Sequence, residues 1–179
     1  MPNPLVIKQS SSTSLLGWLV TFLGVEPTPE GNSIWRYRVE PDPDSPPTSG
    51  LSHLDIGLCL GQHVVLEASP QPVLVQVGDP SISPLMDGVY LIKFNDLNLE
   101  PDEPPLILSF TLAGNWEVGD VPLALKAGQP GARGEIQGPS CTPFVPKGLT
   151  QLLCVSFDVA FTVEASCQVT DVSCQGPCN

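Results

Sequence analysis

Charge is scarce in this chain, and positive charge is the scarcest. Charged residues make up 15% of the 179 residues, and 7 Lys and Arg stand against 19 Asp and Glu, which gives a formal net charge of −12. A nucleic-acid partner requires basic groups that neutralise phosphates, and an anionic membrane surface repels a chain of this sign. The composition therefore predicts no nucleic-acid partner.

Long apolar segments and targeting signals are also lacking. The apolar stretch over residues 15–25 is too short to span a bilayer as a helix, so no membrane insertion is predicted. Only Lys8 precedes this stretch and no small-residue cleavage site follows it, so the N-terminus does not resemble a secretory signal. Six cysteines without a secretory signal are a tension that the rest of the sequence has to explain.

Catalytic and metal-binding motifs are missing as well. The two histidines, His53 and His63, lie in different segments and form no helical metal-binding pair. Period-2 counting places His53, Asp55 and Cys59 on one strand face, where a Cys-His-Asp constellation would be the sharpest enzyme hypothesis. His53 and Cys59 would lie roughly 20 Å apart along the strand, so a polar outer face is favoured. The sequence predicts no enzyme and no catalytic residue.

The sequence also lacks the residue spacings that are typical of zinc and calcium sites. The cysteines of the C-terminal tail are spaced by six and then three residues and have no histidine beside them, unlike the paired knuckles of zinc sites. The acidic loop over residues 95–105 lacks the spacing of an EF-hand, which favours solvated loop charge over calcium binding. No metal site and no cofactor are predicted.

Alternating apolar residues, in contrast, are abundant. In "NSIWRYRVE", Trp35, Tyr37 and Val39 alternate with charged residues, and "LLCVSFDVAFTVE" over residues 152–164 repeats the pattern. Similar short runs lie between clusters of the 21 prolines and 16 glycines. This pattern predicts an all-β chain that forms a single jelly-roll or Greek-key β-sandwich of about eight or more strands.

The chain divides into three parts under this prediction. Residues 1–13 form an N-terminal connector arm with one β-prone piece that contains Leu5, Val6 and Ile7. Residues 14–163 form the sandwich, and residues 164–179 form a Cys-rich tail. The segment "WLVTFLGVE" fits a helical stripe as well as a strand, and the strand is favoured because it lacks a charged helical face.

The tail carries three of the six cysteines, namely Cys167, Cys174 and Cys178. They could hold a metal, staple the chain to itself or bond to another molecule. By alternation, Cys154 points away from the core of its predicted strand, so it is a reachable partner for the tail. A disulfide within the chain and a disulfide between subunits are both compatible with this pattern.

Several strings together resemble a β-sandwich domain of Gram-positive bacterial surface proteins. They are, in order over residues 18–141, "TFLGVEPTPEGNSIWRYRVE", "LSHLDIGLC", "GVYLIKF", "FTLAGNWEVGDVPLALKAG" and "ARGEIQGPSC". The resemblance implies an extracellular, non-enzymatic, architectural or adhesive domain. It also implies that Cys59 pairs with Cys141.

A weaker resemblance is to the subunits of bacterial endospore appendages, which are small jelly-roll proteins with a connector arm, made without a signal peptide and polymerised into disulfide-linked fibres. It implies a homopolymer on the bacterial cell or spore surface, which would explain the cysteines. The arm would add as a strand to a neighbouring subunit, and one of Cys154, Cys167, Cys174 or Cys178 would bond across subunits. The alternative is a monomeric adhesin or carbohydrate-binding or protein-binding module with internal disulfides, in which Trp18 and Trp116 would be the exposed aromatics.

Overall fold

The structure is a computed structural model that describes residues 11–128 and 131–145. Ten strands lie in these residues, more than the eight expected as a minimum, and a single turn of 3-10 helix covers Pro80–Ile82. The strands are β1 Ser12–Leu15, β2 Trp18–Pro27, β3 Ser33–Pro41, β4 His53–Gly57, β5 Val65–Ser69, β6 Val73–Val77, β7 Tyr90–Phe94, β8 Leu106–Leu112, β9 Trp116–Lys126 and β10 Gly131–Pro143. The all-β prediction is confirmed.

The strands form two antiparallel sheets. The first has the order β1-β2-β3-β8-β5 and the second the order β10-β9-β4-β7-β6. Strands that are neighbours in the sheets are often distant in sequence, as when β3 pairs with β8 and β4 with β9. The core side chains come from both sheets, and Phe94 of the second sheet lies 6.5 Å from Phe110 of the first between ring centroids. The predicted two-sheet sandwich is therefore confirmed.

Strict alternation places the core on the inner face of each sheet. In β3, the predicted inward residues Trp35, Tyr37 and Val39 are fully buried, while Arg36 and Arg38 are half-buried on the other face. Aromatic contacts extend this row sideways, since Tyr37 stacks on Phe110 with ring centroids 6.0 Å apart. The inner face of β3 is the centre of the hydrophobic core.

The ambiguous segment at residues 18–26 is strand β2, as favoured, but its tryptophan is not a surface residue. Trp18 is fully buried on the inner face with Val20 and Phe22, and its indole N–H donates to the Ser49 carbonyl at 3.2 Å. The expectation of an exposed Trp18 is wrong because the register of β2 directs residues 18, 20 and 22 into the core.

The outer face of the second sheet is covered rather than solvated. The segment from residue 79 to residue 89 lies over it, and Ile82 and Met86 pack there against Leu91 of β7 and Ala124 of β9. All five residues of β4 are buried as a consequence. His53 and Asp55 share one face of the strand, as predicted. The prediction that this face is exposed to solvent is wrong.

One side of the sandwich is closed by contacts between β1 and β10. The Thr13 hydroxyl donates to the Glu135 carbonyl, and the Gln137 N–H donates to the Ser11 hydroxyl at 3.1 Å. Gly134 permits this approach, since a Cβ on it would lie 3.1 Å from the Thr13 methyl group. On the other side, β5 and β6 are the last strands of their sheets in the described part of the chain.

Several predicted features lie outside the described residues. They are the arm residues Leu5, Val6 and Ile7, the strand predicted over residues 152–164, and the tail. The first strand begins at Ser12, two residues before the predicted start of the sandwich, and the last described strand ends at Pro143. No helix within residues 11–128 and 131–145 has both the length and the apolar character to cross a membrane.

Candidate functional site

The disulfide implied by the resemblance is present. Cys59 and Cys141 are bonded, with Cα atoms 5.6 Å apart, and the bond links the end of β4 to the end of β10 across 82 residues of sequence. A bonded Cys59 offers no thiol nucleophile. The Cys-His-Asp constellation considered from the sequence is therefore not assembled.

His63 packs beside this disulfide. Its Nδ1 accepts a hydrogen bond from the Cys59 N–H at 3.1 Å, so its Nε2 carries the proton and donates to the Ser140 carbonyl at 3.1 Å. The imidazole also packs edge-on against Trp116, with ring centroids 4.4 Å apart. Burial lowers the pKa of His63, against the opposing effect of the hydrogen bond to Ser140. No role was predicted for His63 from the sequence. In the structure, its side chain contacts three separate segments of the chain.

Trp116 is only half-buried, but it is not a free-standing platform. Its indole N–H donates to the Ala113 carbonyl at 2.9 Å, and its ring packs against both the core and His63. Of the two predicted surface aromatics, Trp18 is thus in the core and Trp116 is partly used in packing. The structure brings the two tryptophans into no shared exposed surface.

Strand β6 offers an open ladder of backbone groups. The Asn95 N–H donates to the Pro72 carbonyl and the Gly78 N–H donates to the Val89 carbonyl, so residues 74 and 76 also bond towards β7. By alternation, the N–H and C=O groups of Val75 and Val77 point away from β7. We call these four groups, with the side chains of β6, the β6 edge.

The β6 edge is apolar and carries no charge. Its sequence is VLVQV, and Leu74, Val75 and Val77 are 47%, 39% and 55% exposed. On the neighbouring edge strand β5 and just before it, Leu66 and Val64 are 54% and 57% exposed. Edge strands are usually protected by lysine, bulges or a covering segment, because unpaired apolar edges template pairing with another chain. Among the described residues, the β6 edge has none of these protections beyond the prolines that precede it.

A second notable feature is a group of polar side chains buried between the second sheet and the covering segment. The Asp79 carboxylate accepts from Lys93 Nζ at 2.7 Å and lies 2.9 Å from His53 Nε2. Its other oxygen accepts from the Ser81 hydroxyl at 2.7 Å and from the Ser81 N–H at 2.9 Å. We call this group, together with the adjacent Asp55 side chain, the buried cluster; its members are His53, Asp55, Asp79, Ser81 and Lys93.

Local sequence explains how the cluster forms. Asp79 caps the short helix at Pro80–Ile82 through Ser81, which fixes its carboxylate over the sheet. Lys93 lies directly opposite Asp55 on adjacent strands, so both side chains project from the same face towards Asp79. Two sequence signals could have indicated this cluster, and neither was used in the prediction. One is the lysine within the apolar strand YLIKF, and the other is the helix-capping string DPS.

The charges of the cluster are strongly coupled. Burial alone would raise the pKa of the Asp79 carboxyl, but the hydrogen bonds from Lys93 and Ser81 outweigh it and hold that pKa well below its usual range. Burial and the neighbouring Asp79 carboxylate raise the pKa of Asp55 to about 8. Burial and the positive charge of Lys93 lower the pKa of His53 to about 4. At neutral pH the cluster therefore holds a Lys93–Asp79 ion pair, a neutral His53 and a largely protonated Asp55.

Asp55 is the least satisfied member of the cluster. It is fully buried, and neither carboxylate oxygen has a hydrogen-bond partner among the described residues. Ligand atoms of His53, Asp55 and Asp79 lie within 4.8 Å of one another, close enough to share a metal ion, but Lys93 already supplies a cation to Asp79. A proton on Asp55 would let it donate to the Asp79 carboxylate, which removes the repulsion between the two acids.

The acidic loop considered for calcium has a different character. Asp96, Glu100, Asp102 and Glu103 are exposed, and in the part of the chain that the structure describes, they form no group with metal-binding spacing.

No protein-family model matches the chain, and no curated protein matches it.

Proposed function

We propose that this protein is a structural subunit that self-assembles into a disulfide-stabilised extracellular filament or appendage on a bacterial cell or spore surface. In this proposal, the N-terminal arm of one copy, with Leu5, Val6 and Ile7, adds as a strand to the β6 edge of the next copy. The observation that carries the proposal is the β6 edge itself, which is apolar, uncharged and the last strand of its sheet in the described residues.

Strand addition uses groups that the fold already provides. The outward N–H and C=O groups of Val75 and Val77 would form the new ladder, and their exposed side chains would pack on alternate arm residues. The opposite side of the sandwich is closed by side-chain contacts between β1 and β10. The arm and the β6 edge are different surfaces, so the contact is head-to-tail and does not close, which is the condition for a filament.

Charge also favours the arm as the occupant. Residues 1–13 contain Lys8 and no acidic residue, whereas the whole chain has a net charge of −12. A basic arm is attracted to an acidic neighbour, while two acidic sandwiches repel each other at a distance. The arm is therefore better suited to the β6 edge than is a second sandwich edge.

Disulfides would lock the assembled contact. Cys59 and Cys141 are paired with each other, so the proposal assigns covalent bonding between subunits to Cys154, Cys167, Cys174 or Cys178, all outside the described residues. An oxidising extracellular environment is required for such bonds to persist.

The test uses the full chain under oxidising conditions, examined by negative-stain electron microscopy and non-reducing electrophoresis. Wild-type protein is expected to form filaments, and deletion of residues 1–10 is expected to leave monomers. Val75→Pro removes one outward N–H of the β6 edge without breaking a bond to β7, and should also leave monomers. Ile107→Lys is the matched control, because it changes an exposed apolar residue on the interior strand β8, and it should assemble normally.

Folded wild-type protein that stays monomeric would refute the filament. Filaments that persist in Val75→Pro but not in the arm deletion would retain the filament and reject the β6 edge as the acceptor. The alternative of a monomeric binding module has lost Trp18 as an exposed aromatic, since that residue is fully buried.

A further inference from the structure

Strand β6 has an inner face that is open to solvent. Val75 lies directly opposite Ile92 of β7, which is fully buried in the core, so Val75 points between the two sheets. Val73 and Val77 share this face by alternation. Exposure nevertheless rises along the strand, since Val73 packs against the core while Val75 and Val77 are 39% and 55% exposed. We call Val75 and Val77 the open inner face of β6.

The open inner face results from the way the first sheet ends. Its last strand among the described residues is β5, which a short connection over residues 70–72 joins to β6. Ala68 of β5 is buried near this connection, but the register of β5 shifts between Val65 and Glu67, further along the strand. Within residues 11–128 and 131–145, no strand follows β5 in that sheet to lie over Val75 and Val77.

The residues that an added strand must place against this face follow from its hydrogen bonding. The outward N–H and C=O groups of Val75 and Val77 bond to the two residues directly opposite them, and those two residues also share the inner face. Both must therefore have an N–H, and both must be apolar. Leu5 and Ile7 of the arm meet these conditions.

The other frames of the arm fit less well. A frame with Pro4 and Val6 inward lacks one N–H, and a frame with Val6 and Lys8 inward buries an ammonium group. Shifting the frame of Leu5 and Ile7 by two residues either way replaces one apolar side chain by a polar amide. With Leu5 and Ile7 inward, Lys8 lies on the outer face and its charge stays in solvent.

From this geometry we propose that Leu5 and Ile7 of one copy complete the core of the next copy by packing on the open inner face of β6. The inference rests on the proposed function. It deepens that function by naming the side chains that select the acceptor, and by coupling assembly to the stability of the acceptor. Each copy supplies the apolar side chains that its neighbour lacks.

The arm of the same copy is too short to supply these side chains. The described chain begins at Ser11, whose hydroxyl accepts from the Gln137 N–H at the closed side of the sandwich. In its sheet β6 lies four strand positions from β10, which is about 19 Å. Ile7 is four residues from Ser11, and four extended residues reach at most about 14 Å. The donor is therefore a second copy.

The test uses the full chain with Leu5→Ser/Ile7→Ser as the acceptor, so that its own arm does not compete. The donor is a fluorescently labelled peptide of residues 1–10, and anisotropy measures its binding to the monomeric acceptor. The peptide should bind and should raise the urea midpoint of the acceptor, because it binds the folded chain. Ile7→Ser in the peptide should weaken binding at least about tenfold, and Val6→Ser, the adjacent outward position, less than about threefold.

Two lysine substitutions on opposite faces of β6 separate core completion from simple edge pairing. Val77→Lys should weaken peptide binding at least about tenfold, because the bound donor would bury the charge. Leu74→Lys places the same charge on the outer face and should retain binding within about threefold. Both positions are exposed in the free chain, so both variants should fold, which circular dichroism checks. Val77→Ser repeats the inner-face test without a charge.

Equal losses in Val77→Lys and Leu74→Lys would overturn core completion and leave strand addition to the β6 edge in place. Filaments formed by the Leu5→Ser/Ile7→Ser chain would also overturn it while retaining the filament. Self-association that Val77→Lys abolishes but the arm deletion does not would assign the open inner face to a second sandwich instead. Wild-type protein that stays monomeric would refute the filament, yet peptide binding that depends on Ile7 and Val77 would still support this acceptor.

Discussion

At the scale of single residues, the least satisfied polar group in the centre of the core is the hydroxyl of Tyr37. This oxygen is fully buried and has no hydrogen-bond partner among the described residues, and burial raises the pKa of the phenol well above its usual range. It lies over Gly138 of β10, where a Cβ would approach it to 2.9 Å. A buried hydroxyl without a partner carries a desolvation cost that a phenyl ring does not.

Tyr37→Phe is therefore expected to increase the free energy of unfolding by about 1 kcal/mol, since it removes an unsatisfied group and keeps the ring packed. Urea denaturation of the oxidised full chain measures the change. Trp35→Phe on the same strand is the control, because the Trp35 indole N–H already donates to the Ser33 hydroxyl at 3.1 Å. That variant should be destabilised. A loss of stability in Tyr37→Phe would show that its hydroxyl has a partner.

Sequence alone predicted burial well where charged residues alternate with apolar ones. Trp35, Tyr37 and Val39 alternate with Arg36 and Arg38, and their inward direction was predicted correctly. Trp18 lies in a segment without charged neighbours, so no local contrast revealed its face. His53 and Asp55 were placed correctly on one face, but their burial depends on Met86 and Ile82, which come about 30 residues later and pack by tertiary contact. Periodicity reports which residues share a face and not what covers that face.

At the scale of elements, His63 connects the turn after β4 to β10 and to β9. The turn supplies the Cys59 N–H, β10 supplies the Ser140 carbonyl, and β9 supplies Trp116. The geometry requires the neutral imidazole, because Nδ1 must accept a hydrogen bond. Protonation of Nδ1 would break the contact with the turn.

This arrangement predicts a dependence of stability on pH. Burial lowers the pKa of folded His63, while the unfolded side chain titrates near its ordinary value of about 6.5. As the pH falls below that value, His63 of the unfolded chain binds a proton, whereas His63 of the folded chain stays neutral. The free energy of unfolding therefore decreases. His63→Gln keeps a donor and an acceptor but does not titrate. The stability advantage of wild type over this variant should shrink between about pH 7.5 and about pH 5 in urea titrations.

The buried cluster contributes the same pH dependence to wild type and to His63→Gln, so the difference between them isolates His63. A difference that stays constant with pH would contradict the neutral, bound imidazole.

Strands were predicted correctly where the alternation of neighbouring residues is enough to identify them. "WLVTFLGVE" and "NSIWRYRVE" are adjacent antiparallel strands, as their alternation and the intervening Pro/Gly turn indicate. The string "GARGEIQG" is rich in glycine, which usually marks turns, but it lies inside the long strand β10. Its glycines are required there by close approach, since a Cβ on Gly131 would lie 2.6 Å from the Ile82 side chain. Such non-local contacts have no signature in neighbouring residues.

At the scale of the whole molecule, the order of strands depends on contacts between distant parts of the chain. The Cys59–Cys141 disulfide spans 82 residues and joins the ends of β4 and β10, which belong to one sheet but are separated there by β9. The loop it closes includes β5, β6, β7, β8 and β9. A cross-link of this span restricts the unfolded chain far more than the folded one.

The double variant Cys59→Ser/Cys141→Ser is therefore expected to fold but to lose about 4.5 kcal/mol of unfolding free energy, the amount that loop-closure entropy gives for a loop of this length. Urea denaturation should also give a larger m-value, because the unfolded chain without the cross-link exposes more surface. Reduced wild type is the control. Equal midpoints for reduced wild type and the double variant would assign the effect to this disulfide, and a lower midpoint for reduced wild type would reveal a second stabilising disulfide. A loss below about 1 kcal/mol would contradict the entropic account, since it would mean that the unfolded chain is already restricted by other contacts.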